Sequence, residues 1–422
     1  MIPTFSLVSI RKIYFKNKLK LLELTFLSLF LAFLPSLEAP KNIFLAGYLI
    51  TALYRQSQLP PSKWSTWDWV FLSLIVSSFL SALFPFVAGG SEWKGFRGML
   101  LWVTFGWTLF RADYNETEKK YLFIFAILMT LPPLLWGLTE SLVLHTKDAL
   151  QLHSVGHVNH SAIYLCMVAG ASLSLIVSQL QSAQKKYVFI TTLLFILFIS
   201  SVLISQSRGA FGIVFLLAFA LFLLSKFSIK IKTILLVLLS IFLISIVFIK
   251  PVATIEKHIA DQNNNDVLAS RDKLWRAAFE IARLNPLLGI GGGNWNHIKI
   301  DQIKSSIESR GEVFNNDTFA VEFHHPHNIY LSNLVDRGIL GLITFLSFMF
   351  IWLITLIKSF KKYNQDSKAM LFIMGSFSAW VTIFGIGFVN TTFHHENALL
   401  ALFFLGCHLN YLRQKNQLKL FN

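Results

Sequence analysis

The chain is short of acids, with 22 Asp and Glu against 37 Lys and Arg, and charged residues of either sign make up only 14% of it. It has two cysteines, Cys166 and Cys407, each inside an apolar run. That excludes a disulfide framework and predicts no thiol chemistry. No internal repeat is visible, which argues against a transporter built from inverted repeats. The long polar segment holds no Asp-x-Asp or comparable acidic pair, so no metal is expected.

Apolar sequence dominates what is there. Hydrophobic residues make up 54% of the 422, with 41 Phe and 11 Trp, and the mean hydropathy is +0.58. This is the composition of a polytopic membrane protein rather than of two or three soluble domains. A crossing helix needs about 20 mostly apolar residues. On that rule an all-α fold with about twelve spans is expected: 20–37, 41–54, 67–87, 96–110, 121–140, 161–179, 187–204, 209–225, 231–249, 338–357, 369–389 and 396–412. The expected organisation is nine spans in 1–250, a large loop over 251–328, and three spans with a tail in 329–422. The basic start before the first apolar run reads as an uncleaved first helix.

Lys and Arg set the expected orientation. With alternating loops, the segments on the N-terminal side hold 22 of them, against Lys41, Lys94, Arg97, Lys147 and Arg208 opposite. By the positive-inside rule both termini face the cytoplasm and the 251–328 loop faces outward. The net charge of +15 therefore reports topology and implies no nucleic-acid partner. A pump would place acids or bases within the spans. The span interiors read as almost free of charge, so a transporter or flippase is the alternative of another class.

Chemistry concentrates on the outer side. Arg208 is the lone charged residue between Lys186 and Lys226, in the turn Ser207-Arg208-Gly209-Ala210. A guanidinium there suits a phosphate, which it binds bidentately while staying charged. Before the sixth span, His153, His157, Asn159 and His160 either shape a polar pocket or cap the next helix through Asn159 or Ser161. A helix is expected from Arg271 to about Leu284, capped by Ser270. An arginine in its first turn opposes the helix dipole, which points to anion binding instead of stability. Arg276, Glu280 and Arg283 fall on one face, either as a solvated ion-pair face or, for Arg276, as a substrate contact. The glycines of 289–293, Gly291 among them, permit close backbone approach but lack the Lys-Ser/Thr of a phosphate loop. His324, His325 and His327 close the loop, and His394 and His395 precede the last span. One neutral His as general base is a simpler use of them than a metal site.

His327-Asn328, nine residues, Gly338, two more and Gly341 form a pattern that resembles the O-antigen ligase family. Ser207-Arg208-Gly209-Ala210 and the Arg271 helix running into Asn285-Pro286-Leu287-Leu288-Gly289 support the resemblance. It implies a fold like the C-type glycosyltransferases, with a large helical periplasmic loop, in the bacterial inner membrane. It also implies glycan transfer from an undecaprenyl-diphosphate carrier to a sugar hydroxyl of lipid A-core, inverting, with no cofactor and no metal. His327, Arg208 and Arg271 would be catalytic. Asn328, Ser207, His157, Asn159, Arg276 and Gly291 would contact substrate. An O-antigen polymerase or a protein O-oligosaccharyltransferase using the same donor is the alternative within the group. Histidines stand where an arginine before the sixth span is expected of the family.

Overall fold

The computed structural model describes residues 7–60, 63–182, 185–205, 207, 209–210, 212–213, 271–315, 318–319 and 325–415. Among them are thirteen α-helices and no β-strand. They are α1 (Leu7–Phe33), α2 (Glu38–Ser57), α3 (Thr66–Leu83), α4 (Ser91–Arg111), α5 (Glu116–Leu128), α6 (Leu131–Leu142), α7 (Val158–Gln181) and α8 (Val188–Ile204). After the 205–270 region come α9 (Arg271–Leu284), α10 (Ile300–Glu308), α11 (Ile329–Tyr363), α12 (Ser367–Ile386) and α13 (His395–Gln414).

Five helical stretches among the described residues are long and apolar enough to cross a membrane: Thr66–Leu83, Glu116–Leu142, Val158–Gln181, Ile329–Tyr363 and Ser367–Ile386. The chain is thus an all-α, multi-pass membrane protein. The expected spans at 209–225 and 231–249 fall almost wholly outside the described residues, as does Ser270. The expected span 121–140 is two helices, because Met129 and Thr130 form a turn ahead of Pro132-Pro133. Around α3, aromatic pairs sit near both ends: Trp64 against Trp69, with centroids 4.8 Å apart, and Phe79 against Phe96, at 5.5 Å. Its 18 residues rise about 27 Å, close to the apolar thickness of a bilayer, so these rings fit two interfacial belts.

The helix interiors are less free of charge than the sequence suggests. Glu23 is fully buried within α1, where it pairs with Arg55 of α2 and accepts from the Tyr114 hydroxyl. Asp68 at the start of α3 accepts from Arg111 Nε at 2.8 Å and from Trp107 Nε1 at 2.8 Å. Arg55 and Arg111, two of the 22 basic residues counted on the N-terminal side, are therefore buried partners of acids that lie far from them in the chain. A buried charge has to be paired, since unpaired it costs several kcal/mol. These pairs gather at one end of the helices. At the opposite end Lys41 pairs with Glu396, and Ser154 Oγ donates to that carboxylate at 3.2 Å.

The segment of α9, α10 and the first turns of α11 has its own core. Leu274, Ala278 and Ile281 of α9, Trp295, and Ile303 and Ile307 of α10 pack on Leu331 and Val335 of α11. This docking explains the glycines that follow the His-Asn pair. At Gly338 the backbone leaves helical geometry (φ 62°, ψ −163°), so the nine residues before it and the membrane helix after it are separate pieces. The expected span start at 338 coincides with this break. The 286–291 loop fills the gap, with Ile290 N donating to Val335 O at 2.9 Å and Ile339 N to Pro286 O at 2.8 Å. A methyl group on Gly338 would lie 2.3 Å from the Leu287 carbonyl carbon, in a backbone region that only glycine occupies readily. Gly338→Ala is therefore expected to destabilise the protein by about 2–4 kcal/mol. Thermal unfolding of the detergent-solubilised protein, followed by size exclusion, measures this.

Candidate active site

His327 is held by its neighbours on both sides. It occupies the left-handed region (φ 47°), uncommon outside glycine though less so for histidine. On one side, Trp275 Nε1 of α9 donates to Pro326 O at 3.1 Å. On the other, Asn328 caps α11, its Oδ1 accepting from Tyr330 N and Leu331 N at 3.0 Å each. A cap of this kind stabilises a helix by about 1 kcal/mol. The Asn328 amide also donates to Phe388 O at 3.0 Å, and Ile329 N donates to Gly387 O at 2.8 Å. Asn328, expected to touch substrate, thus has both ends of its side chain in the scaffold. The His-Asn spacing makes sense: the asparagine starts the helix and fixes the residue before it.

Three histidine segments remote in sequence meet here. The His325 and His327 rings are 4.2 Å apart, His157 and His160 5.8 Å, His160 and His394 4.3 Å, and His394 and His395 5.1 Å. His327 and His325 both interact electrostatically with His160, which joins the groups into one imidazole cluster. Arg271, the first residue of α9, acts on His327 as a neighbouring cation. Among the described residues no three or more His, Cys, Asp or Glu are grouped to hold a metal ion.

The electrostatics favour neutral rings. Burial pulls His327 below the ordinary imidazole range, a side-chain hydrogen bond with Asn390 opposes that, and Arg271 and His157 add to the lowering. Burial holds His394 well below that range, reinforced by His160, His395 and His325. A neutral imidazole beside an arginine is able to accept a proton while the arginine binds an anion. The N–H groups in the first turn of α9 strengthen that anion preference.

Other expected site residues are placed less closely. Arg208 lies outside the described residues. Its neighbour Ser207 is buried, and a methyl group on Gly209 would meet Val389 at 3.2 Å and Ile386 at 3.3 Å. Gly209 thus packs on the same 386–389 segment that holds the backbone next to His327. His157 is exposed and is the cap of α7, its Nδ1 accepting from Asn159 N at 3.2 Å; neither Asn159 nor Ser161 fills that place. Arg276 is exposed, and the ion pairs of Glu280 go to Arg283 at 2.7 Å and Arg310 at 2.8 Å. Gly291 is buried in the loop, where an added methyl group would strike Asn294 and Glu92. That makes it a packing position. Sequence reasoning missed Trp275 and Asn390, which gain meaning only from contacts across 51 and 63 residues of chain.

Fold and cluster together define a multi-pass, all-α membrane protein with a polar site where the α9–α10 module meets the membrane helices. Residues 193–346 match the family model of O-antigen ligase, a stretch that runs from before Arg208 to beyond Gly341. The match and the membrane helices support a transferase-type role in glycan transfer. No curated protein matches the chain.

Proposed function

We propose that the protein is an O-antigen ligase-type glycosyltransferase of the bacterial inner membrane. It moves a polysaccharide from undecaprenyl diphosphate to a sugar hydroxyl of lipid A-core on the periplasmic face. The observation that carries this reading is the proximity of a half-buried, neutral-favouring His327 to Arg271 at the start of α9. The full topology has about twelve spans, with the 251–328 loop outside and both termini in the cytoplasm.

In the reaction, the acceptor hydroxyl oxygen attacks the anomeric carbon and forms the new C–O bond. The bond from that carbon to the diphosphate oxygen breaks, and its electron pair stays on the diphosphate. His327 takes the hydroxyl proton, while Arg271 and Arg208 bind the charge that develops on the leaving group. Direct displacement inverts the anomeric centre. Diphosphate is a good enough leaving group to go without a general acid, and no metal is required.

Because burial lowers the proton affinity of His327, the base is neutral at pH 7 and becomes protonated only as pH falls through its lowered value. The acid limb of the pH–rate profile is therefore expected below about 6.5, the ordinary imidazole value. An acid limb above about 7 would contradict this. At the cellular level, deletion of the gene followed by lipopolysaccharide analysis distinguishes the related activities. Loss of all capped core is expected for a ligase. A ladder reduced to single-repeat caps would indicate a polymerase, and an unchanged profile would contradict both.

A further inference from the structure

We propose that the cleft lined by Phe86 and the polar face of α10 binds a saccharide unit, at a place separate from the imidazole cluster. The cleft has a volume of about 450 Å³ and is lined by Phe86, Leu284, Asp301, Gln302, Ser305 and Ser306. That volume falls within the range of about 300–1,000 Å³ usual for small-ligand sites. Asp301 and Ser305, and Gln302 and Ser306, are spaced by one turn of α10, so the four polar side chains form two neighbouring rows on one face. Ile303 and Ile307 point from another face into the core. Phe86, 41% exposed, and Leu284 at the end of α9 supply the apolar part of the lining. Both walls are held in place. Beside Phe86, Asn294 Nδ2 donates to Val87 O at 2.7 Å. Arg310 ties α10 to α9, with Nη2 donating to Glu280 Oε2 at 2.8 Å and Nη1 to Ser306 O at 2.8 Å. Walls fixed in this way lose little freedom when a ligand enters.

The polar groups of the lining identify the ligand. Among the described residues the Asp301 carboxylate and the Ser305 hydroxyl make no hydrogen bond or ion pair, so the first can accept and the second can do both. Gln302 Oε1 accepts from Lys299 N at 2.9 Å, which leaves the amide NH2 to donate. Ser306 Oγ accepts from Arg310 Nη1 at 3.1 Å and keeps its own proton to donate. A sugar offers donors and acceptors on adjacent carbons and matches this mixed set. A phosphate needs donors alone and would meet the Asp301 carboxylate, the one charge in the lining. A purely apolar ligand would leave these groups dry and unpaired. The saccharide also suits Phe86, because the C–H bonds on one face of a pyranose ring lie well against the negative face of an aromatic ring.

That saccharides are the substrates rests on the proposed function; the unit comes from the donor polysaccharide or from the acceptor core, and the test separates the two. The full-length protein in lipid nanodiscs is titrated with polysaccharide released from its carrier and, separately, with core oligosaccharide released from lipid A, and binding is followed by saturation-transfer NMR. Phe86→Ala and Asp301→Ala remove exposed side chains, and size exclusion checks that both variants fold. Lys304→Ala, exposed on α10 and outside the lining, is the control. Each lining variant is expected to weaken binding of at least one saccharide by about five- to tenfold. The KM of the matching substrate rises by the same factor while kcat stays within about twofold, and Lys304→Ala changes neither. The saccharide affected names the source. Should binding prove too weak to titrate, KM decides alone. Values for both saccharides within about twofold of the wild type in folded Phe86→Ala and Asp301→Ala overturn the proposal. Binding is read without turnover, so a protein that binds saccharide in the cleft but transfers none contradicts the proposed function and leaves the cleft standing.

Discussion

His327→Ala is expected to slow glycan transfer by about 10²–10⁴-fold with the protein still inserted and folded, the range general bases supply. The side chain carries little of the fold. The chain around it is held by Asn328, which caps α11, by Ile329 N on Gly387 O, and by Trp275 on Pro326 O. None of these contacts uses the imidazole. Alanine is strained at φ 47°, a cost of about 1–2 kcal/mol. That is small beside the loss of the proton acceptor. Yield and size-exclusion profile measured with the transfer rate separate the two effects. Full activity in a folded His327→Ala protein would remove the proposed base.

Arg271→Ala is the second large effect, expected at about 10²–10³-fold in transfer, the scale of one preorganised donor to a developing anion. An arginine at the first position of a helix works against the dipole and so does not serve α9. It lies close enough to His327 to lower that ring's proton affinity. Arg271→Lys keeps the charge but loses the planar fork that matches a diphosphate, and is expected to recover only part of the rate. The neighbour on the same helix supplies a control. Arg276 is exposed and outside the Glu280 ion pairs, so a loss in Arg276→Ala as deep as in Arg271→Ala would show that charge on α9, not its position, matters.

Sequence and structure agree best where one local signal is enough. The membrane class follows from apolar runs, and the Arg271–Leu284 helix from the start signal at Ser270. His327-Asn328 stands out because its elements are sequential: a turn, a cap, then nine residues to the glycine that breaks the helix. The pattern does not state what each residue does. Gly338 and Gly291 prove to be packing glycines, set by the close approach of the 286–291 loop to 335–340.

What stays hidden depends on contacts between distant segments. Arg55 counts as one more basic residue until its partners arrive, Glu23 from α1 and Asp113 from the connection between α4 and α5. Asn390 is one polar residue in a turn until His327 arrives from 63 positions earlier. The same holds for the histidines. His157, His160, His325, His327, His394 and His395 read as three separate groups, and folding makes them one cluster around a single candidate base.

If His327 drives transfer of a glycan from a lipid diphosphate to a sugar hydroxyl, one reconstituted reaction reads it most directly. Purified protein in lipid nanodiscs is supplied with undecaprenyl-diphosphate-linked glycan and lipid A-core. Formation of capped core by the wild type is compared with that by His327→Ala. The expected result is capped core and released undecaprenyl diphosphate from the wild type, with the variant lower by at least about 100-fold. Equal product from both proteins, or none from the folded wild type, would contradict it.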